Sequence, residues 1–96
     1  MFYVYLLYSQ QGKGLYIGYT SDINERLMRH NAGECISTKH RRPLVLIYYE
    51  AYMNQQDAKG REVFLKSGAG RRFLKKQLKN TNEEFKIDNA FVATTT

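Results

Sequence analysis

"FYVYLLYSQQGKGLYIGYT", residues 2–20, holds two runs of β-forming residues joined by a short polar connection. Both runs are rich in aromatic and β-branched side chains, and "SQQGK" has the length and the glycine of a hairpin loop. The stretch predicts an antiparallel hairpin. Side chains alternate across a strand, so Tyr3, Tyr5 and Leu7 share one face while Phe2, Val4, Leu6 and Tyr8 share the other, better core face. In the second run Tyr16 and Gly18 oppose Leu15, Ile17 and Tyr19. Aligning the apolar faces puts Tyr5 and Tyr16 on one side of the hairpin, with Tyr5 opposite either Tyr16 or Gly18. Gly18, lacking a side chain, is expected to leave room there for a ligand or another backbone.

Working outward, Asp22 is placed to cap a helix whose third residue is Glu25, with Ile23, Leu27 and Ala32 as a partial apolar stripe and Gly33 as its stop. Arg26 and His30, four residues apart, stand on one face of that helix. Residues 34–43, "ECISTKHRRP", lack periodicity and read as a basic loop ending in the one proline. "LVLIYYEAY" reads as a third strand, and its unbroken apolar start suggests a central, well-buried position. A second helix is expected over residues 54–67, capped by Asn54 and weakened at Gly60 by ~1 kcal/mol relative to alanine. After the punctuation of "SGAG", a third helix over about 69–79 sets Phe73, Leu74 and Leu78 against Arg71, Arg72, Lys75, Lys76 and Lys79. The order is ββαβαα in one α/β domain over residues 1–80. The tail over 81–96 has no convincing period, and its small polar end suggests fraying or disorder.

Ninety-six residues suit one domain with a modest core, and 43% hydrophobic content argues against global disorder. Fifteen Lys and Arg against nine Asp and Glu leave a net charge of +6, a field that attracts polyanions and makes nucleic acid the leading partner class. Cys35 is the one cysteine, which excludes an intramolecular disulfide and a multi-thiolate zinc site. The apolar run at residues 2–8 is too short and too polar for a membrane span, and no basic segment precedes it as in a secretion signal. An intracellular, cytoplasmic protein is expected.

In the second helix Ala58, Glu62 and Leu65 fall at i, i+4 and i+7, so Glu62 lies on a stripe with small and apolar neighbours. A carboxylate there needs a partner: a Lys or Arg in an ion pair, or a hard divalent cation. Mg2+ typically takes only one or two protein carboxylates and completes its octahedron with water and phosphate oxygens, so one glutamate suffices.

These residues together resemble the GIY-YIG nuclease family, named for two short strand motifs about ten residues apart. Tyr3-Val4-Tyr5 stands where Gly-Ile-Tyr would be, and Tyr16-Ile17-Gly18 matches the second motif outright. With Arg26, His30 and Glu62 following in order, the likeness spans about residues 2–79 and is similar to the N-terminal nuclease domain of the excinuclease of bacterial nucleotide-excision repair. The resemblance implies a small three-stranded antiparallel sheet flanked by helices, and metal-dependent hydrolysis of a DNA phosphodiester. It matches Tyr5 and Tyr16 to the family tyrosines, Arg26 to the catalytic arginine, His30 to a histidine found in many members and Glu62 to the metal ligand, with Mg2+ or Mn2+ as cofactor. Three positions depart from the pattern. Tyr3 replaces the opening glycine, Tyr19 stands where the excision-repair domain has a lysine, and the asparagine many members carry beyond the glutamate is missing, with Gln77 nearby.

In a mechanism built from these parts, Tyr5 or Tyr16 orients or deprotonates water, Arg26 pairs with the scissile phosphate, and a cation on Glu62 stabilises the leaving oxygen. His30 is the alternative base; a covalent phosphotyrosine is disfavoured by the resemblance. Lys39, His40, Arg41 and Arg42 form one candidate phosphate contact, and Arg71 with Lys75 a second at helical spacing. A role in DNA repair or recombination is expected. The competing readings are a non-catalytic nucleic-acid-binding module and a nuclease subunit that needs a protein targeting partner.

Overall fold

The computed structural model describes residues 1–11 and 14–87. Strands β1 (Phe2–Ser9) and β2 (Leu15–Thr20) are followed by helix α1 (Ile23–Asn31) and a 3-10 turn at Lys39–Arg41. Strand β3 (Leu44–Tyr52) then leads into helices α2 (Gln55–Lys66), α3 (Gly68–Gln77) and α4 (Lys79–Glu84). The expected order appears with α4 added at its end, so the boundary drawn after residue 80 falls inside a helix. Residues 88–96 of the expected tail, like Gly12 and Lys13 in the hairpin connection, lie outside the described residues.

The sheet is antiparallel with strand order β2-β1-β3. Tyr5 pairs with Gly18 and Leu7 with Tyr16, one of the two registers that the alternation allowed. The central strand is therefore β1, not β3 as the apolar run from Leu44 suggested. The physical reason lies in the register between these two strands. It shifts at Leu6/Leu7, where Leu6 faces Tyr48 and Leu7 faces Leu46, leaving Ile47 as an extra residue. Leu44 and Leu46 thus join one side of the sheet, and Ile47 and Tyr48 the other. An unbroken apolar run here records a bulge in an edge strand rather than burial on both faces.

Each face has its own core. On one, Val4, Leu6, Leu15 and Ile17 pack with Ala58 and Leu65 of α2 and with Leu74 and Leu78. On the other, Tyr5, Leu7, Tyr16 and Leu44 pack under Ile23 and Leu27 of α1. Caps set where the helices begin. Asp22 Oδ1 accepts from the Glu25 amide at 3.1 Å, and Asn54 Oδ1 accepts from Gln56 and Asp57. The far end of α1 is clasped to β3 by Asn31, whose side chain donates to the Leu44 carbonyl (3.0 Å) and accepts from the Leu44 amide (2.8 Å).

Ser67 alone breaks the run from α2 to α3, since Gly68, Ala69 and Gly70 are already helical. A Cβ at Gly70 would lie 2.0 Å from the Phe64 carbonyl oxygen, so only glycine lets the two helices meet so closely. Glu50 on β3 ties this layer to the sheet: Arg61 binds both its oxygens at 2.8 and 3.1 Å, and the Tyr48 and Tyr52 hydroxyls donate at 2.5 and 2.6 Å. Burial alone would raise the Glu50 carboxyl, but these donors outweigh it and hold it below the usual carboxylate range. No helix among the described residues is long and apolar enough to cross a membrane.

Candidate active site

Three rings converge beneath α1. Tyr5 and Tyr16 have centroids 6.2 Å apart, and His30 lies 5.9 Å from the first and 5.0 Å from the second, edge-on to both. Strand alternation puts the phenols on one face, and the helical repeat turns His30 inward at the end of α1. The Tyr5 ring leans over Gly18, where an added Cβ would come within 2.3 Å of its Cζ and hydroxyl. The room expected at Gly18 is therefore filled from within. Tyr5 itself occupies it, because glycine lets the phenol tilt toward β2.

A hydrogen-bonded chain runs through the group. Tyr5 Oη lies 2.9 Å from His30 Nε2, and His30 Nδ1 lies 2.7 Å from Thr38 Oγ1. The Thr38 hydroxyl donates to the Cys35 carbonyl at 3.4 Å, so its oxygen is left to accept from Nδ1–H. This assigns the neutral tautomer with Nε2 as acceptor, and the Tyr5 phenol donates to it. Burial, then the Arg26 cation, push the imidazole down from 6.5 to about 4, so His30 is neutral at pH 7. Burial, then the neighbouring Tyr16, push the Tyr5 phenol well above its ordinary range, outweighing the pull of Arg26. The resting pair is a phenol donating to a neutral imidazole.

Tyr5, Tyr16 and His30 are 2%, 1% and 0% exposed. Arg26, one turn before His30, is half-buried and lines an open hollow of about 340 Å³ with Arg29, Glu34, Cys35, Ile36 and Ser37. It is the member of the group that reaches an open hollow.

The basic loop is divided. Lys39, His40 and Arg42 line a second hollow of about 520 Å³ with Gln11, Asn31 and Pro43. Arg41 turns inward, and its Nη1 is buried without a hydrogen-bond partner among the described residues. Arg42 lies on the Gly33 backbone, where φ is +80° and an added Cβ would meet Nη1 at 2.7 Å. Arg71 and Lys75 are exposed on α3, which packs on α2 and so belongs to the other layer. Tyr19, at the position of the excision-repair lysine, stacks on Phe2 with Lys59 over its ring.

Glu62 lies between Ala58 and Leu65 in the helical repeat of α2, and Lys66 Nζ bonds its Oε2 at 3.0 Å. Among the described residues no three His, Cys, Asp or Glu side chains gather as a metal cage. The donor set fits a hard cation only in the sparse mode, with one partly buried carboxylate oxygen and the remaining positions left to water and phosphate. Sequence reasoning did not single out Thr38 or Asn31. Neither falls on a periodic pattern, since one lies in an irregular loop and the other at a helix end.

The chain matches the family model of the GIY-YIG catalytic domain over residues 1–86. A UPF0213 protein of Pediococcus acidilactici is 40% identical over 82 residues, covering 82% of each chain. A UPF0213 protein of Staphylococcus haemolyticus is 38% identical over 74 residues, covering 76% of this chain and 89% of its own. One from Streptococcus pyogenes is 40% identical over 65 residues, covering 67% and 70%. No solved structure matches the chain.

Proposed function

Because the chain belongs to the GIY-YIG catalytic-domain family, a nuclease family, we propose that it hydrolyses phosphodiester bonds in DNA as a divalent-metal-dependent endonuclease acting in repair or recombination. The observation that carries this reading is the 2.9 Å contact between Tyr5 Oη and His30 Nε2, with Arg26 beside it as the accessible cation. Catalysis of this reaction needs a positioned water, neutralised phosphoryl oxygens and a stabilised leaving oxygen.

Arg26 pairs with the scissile phosphate and in doing so turns from Tyr5, opening the phenol oxygen to water. Its charge, now spent on the phosphate, no longer depresses His30, whose affinity for a proton rises as substrate binds. Water attacks phosphorus while its proton passes to Tyr5 Oη and the Tyr5 proton passes to His30 Nε2. The bond to the leaving oxygen breaks, and solvent protonates that oxygen. His30 Nδ1–H keeps its bond to Thr38 throughout, so the imidazolium stays oriented. Tyr16 packs against both partners and holds their rings in place. A divalent cation, Mg2+ or Mn2+, would be held by Glu62 and would supply charge neutralisation at the leaving oxygen. Lys39, His40 and Arg42 take flanking phosphates, and Arg71 with Lys75 provides a second phosphate track on the α2 side.

A related reading is favoured by two observations: the rings are sealed, and Lys66 occupies Glu62. Both describe a resting nuclease that substrate or a protein targeting partner must open. Nicking of labelled duplex, single-stranded and branched DNA with Mg2+, Mn2+ or chelator tests these readings beside Glu62→Ala. Metal-dependent product lost in Glu62→Ala supports the intrinsic nuclease. Equal product from both proteins sinks the assignment of Glu62. DNA binding with no cleavage in any metal points to the subunit or to a binding module.

A further inference from the structure

The sheet face that carries Tyr5 is only partly roofed by α1. Beyond the helix it continues into Tyr3, Tyr49 and Ala51, which the register places on the same side as Tyr5. Tyr49 is the direct cross-strand partner of Tyr5, yet Tyr5 is 2% exposed and Tyr49 is 53% exposed. The two rings part because Tyr5 leans toward β2 over Gly18, leaving the space above β3 to Tyr49. Tyr49 is buttressed from the side by Tyr3, with centroids 5.9 Å apart and planes at 64°. The result is a propped aromatic surface open to solvent, one strand away from the phenol of the candidate site.

We propose that Tyr49, supported by Tyr3, is a stacking platform for an unpaired nucleobase next to the phosphate engaged by Arg26. The inference rests on the nuclease reading and adds to it a preference for single-stranded or locally opened DNA. Directly paired residues on one sheet face stand about 5 Å apart, close to the spacing between a phosphate and the base of its own nucleotide. A phosphate held at the Tyr5 end of the site therefore leaves its base one strand away, on the side of Tyr49, and the net charge of +6 favours a polyanionic occupant over an apolar peptide. A base inside a duplex has both faces covered by its neighbours. An unpaired base has a free face, and stacking on an aromatic side chain stabilises it by about 1–3 kcal/mol, or roughly 5- to 150-fold in affinity.

The test uses the full chain in chelator, where nothing is cut, with a short single-stranded oligonucleotide carrying 2-aminopurine, whose fluorescence falls on stacking. Wild type and Tyr49→Phe should quench the probe alike, while Tyr49→Ala should lose the quench and bind it roughly 5- to 150-fold more weakly. Duplex binding should be unchanged in all three, since it depends on phosphate contacts. Retained quenching in Tyr49→Ala, or an equal loss for duplex and single strand, overturns the platform and leaves the nuclease reading standing. No DNA binding by the wild type overturns both.

Discussion

The Tyr5 hydroxyl and His30 Nε2, 25 residues apart in the chain, are joined by a buried 2.9 Å hydrogen bond. As the proton path of the proposed reaction, this pair should act as one unit. Tyr5→Phe keeps the packed ring and should fold, but single-turnover cleavage should fall by about 10²–10⁴-fold with DNA binding retained. His30→Ala should cost a similar factor, and the double variant little more than either alone. Fully additive losses would mean that the two side chains act separately.

Acid sensitivity follows from the same burial. Folded His30 takes a proton only near 4, whereas the unfolded chain takes one at 6.5. The folded-state value is the lower, so the stability it supports is fully present above pH 6.5 and declines as the pH falls toward 4. The loss is about 3 kcal/mol across that window. Urea unfolding of wild type and His30→Asn at a series of pH values isolates it, since other groups titrate in both. Parallel stability curves would rule out His30 as the source.

Gly18→Ala tests why the phenol sits where it does. Its methyl would lie 2.3 Å from the Tyr5 ring, so the ring must leave Gly18 and with it the bond to His30. A cost of about 1–3 kcal/mol is expected from overpacking, together with loss of cleavage comparable to Tyr5→Phe. Thermal unfolding and cleavage rates measure the two effects. Unchanged activity would show that the lean toward β2 is not needed for turnover.

Thr38 controls the other side of the imidazole. Thr38→Val leaves Nδ1–H buried without an acceptor, which should cost about 1–3 kcal/mol and release the tautomer. Nitrogen-15 imidazole spectra should then show Nε2 gaining a proton, with kcat falling while KM is little changed. Thr38→Ser keeps the hydroxyl and should restore both. Equal behaviour of the two variants would place the hydroxyl outside the proton path.

Capping and alternation are local signals, and they were readable. Asp22 and Asn54 start their helices as expected, Arg26 and His30 share a helix, and Tyr5 and Tyr16 share a sheet face. Each of these relations depends on residues a few positions apart, or on a period of two that holds within one strand. The resemblance to a nuclease family rests on the same kind of information, since residue types and their order survive in the linear chain.

Other features needed the folded chain, because they depend on which distant segments meet. β1 is central because it pairs on both edges, and no property of "LVLIYYEAY" alone distinguishes a bulged edge strand from a buried one. Gly18 suggested an opening, yet the nearest side chain to fill it was Tyr5, across the hairpin. Thr38 reaches His30 from an aperiodic loop. The order of residues carries their chemistry and local geometry. The charge, tautomer and accessibility of the site arise only when the strands and helices pack, because burial and hydrogen-bond partners come from contacts between segments far apart in the chain.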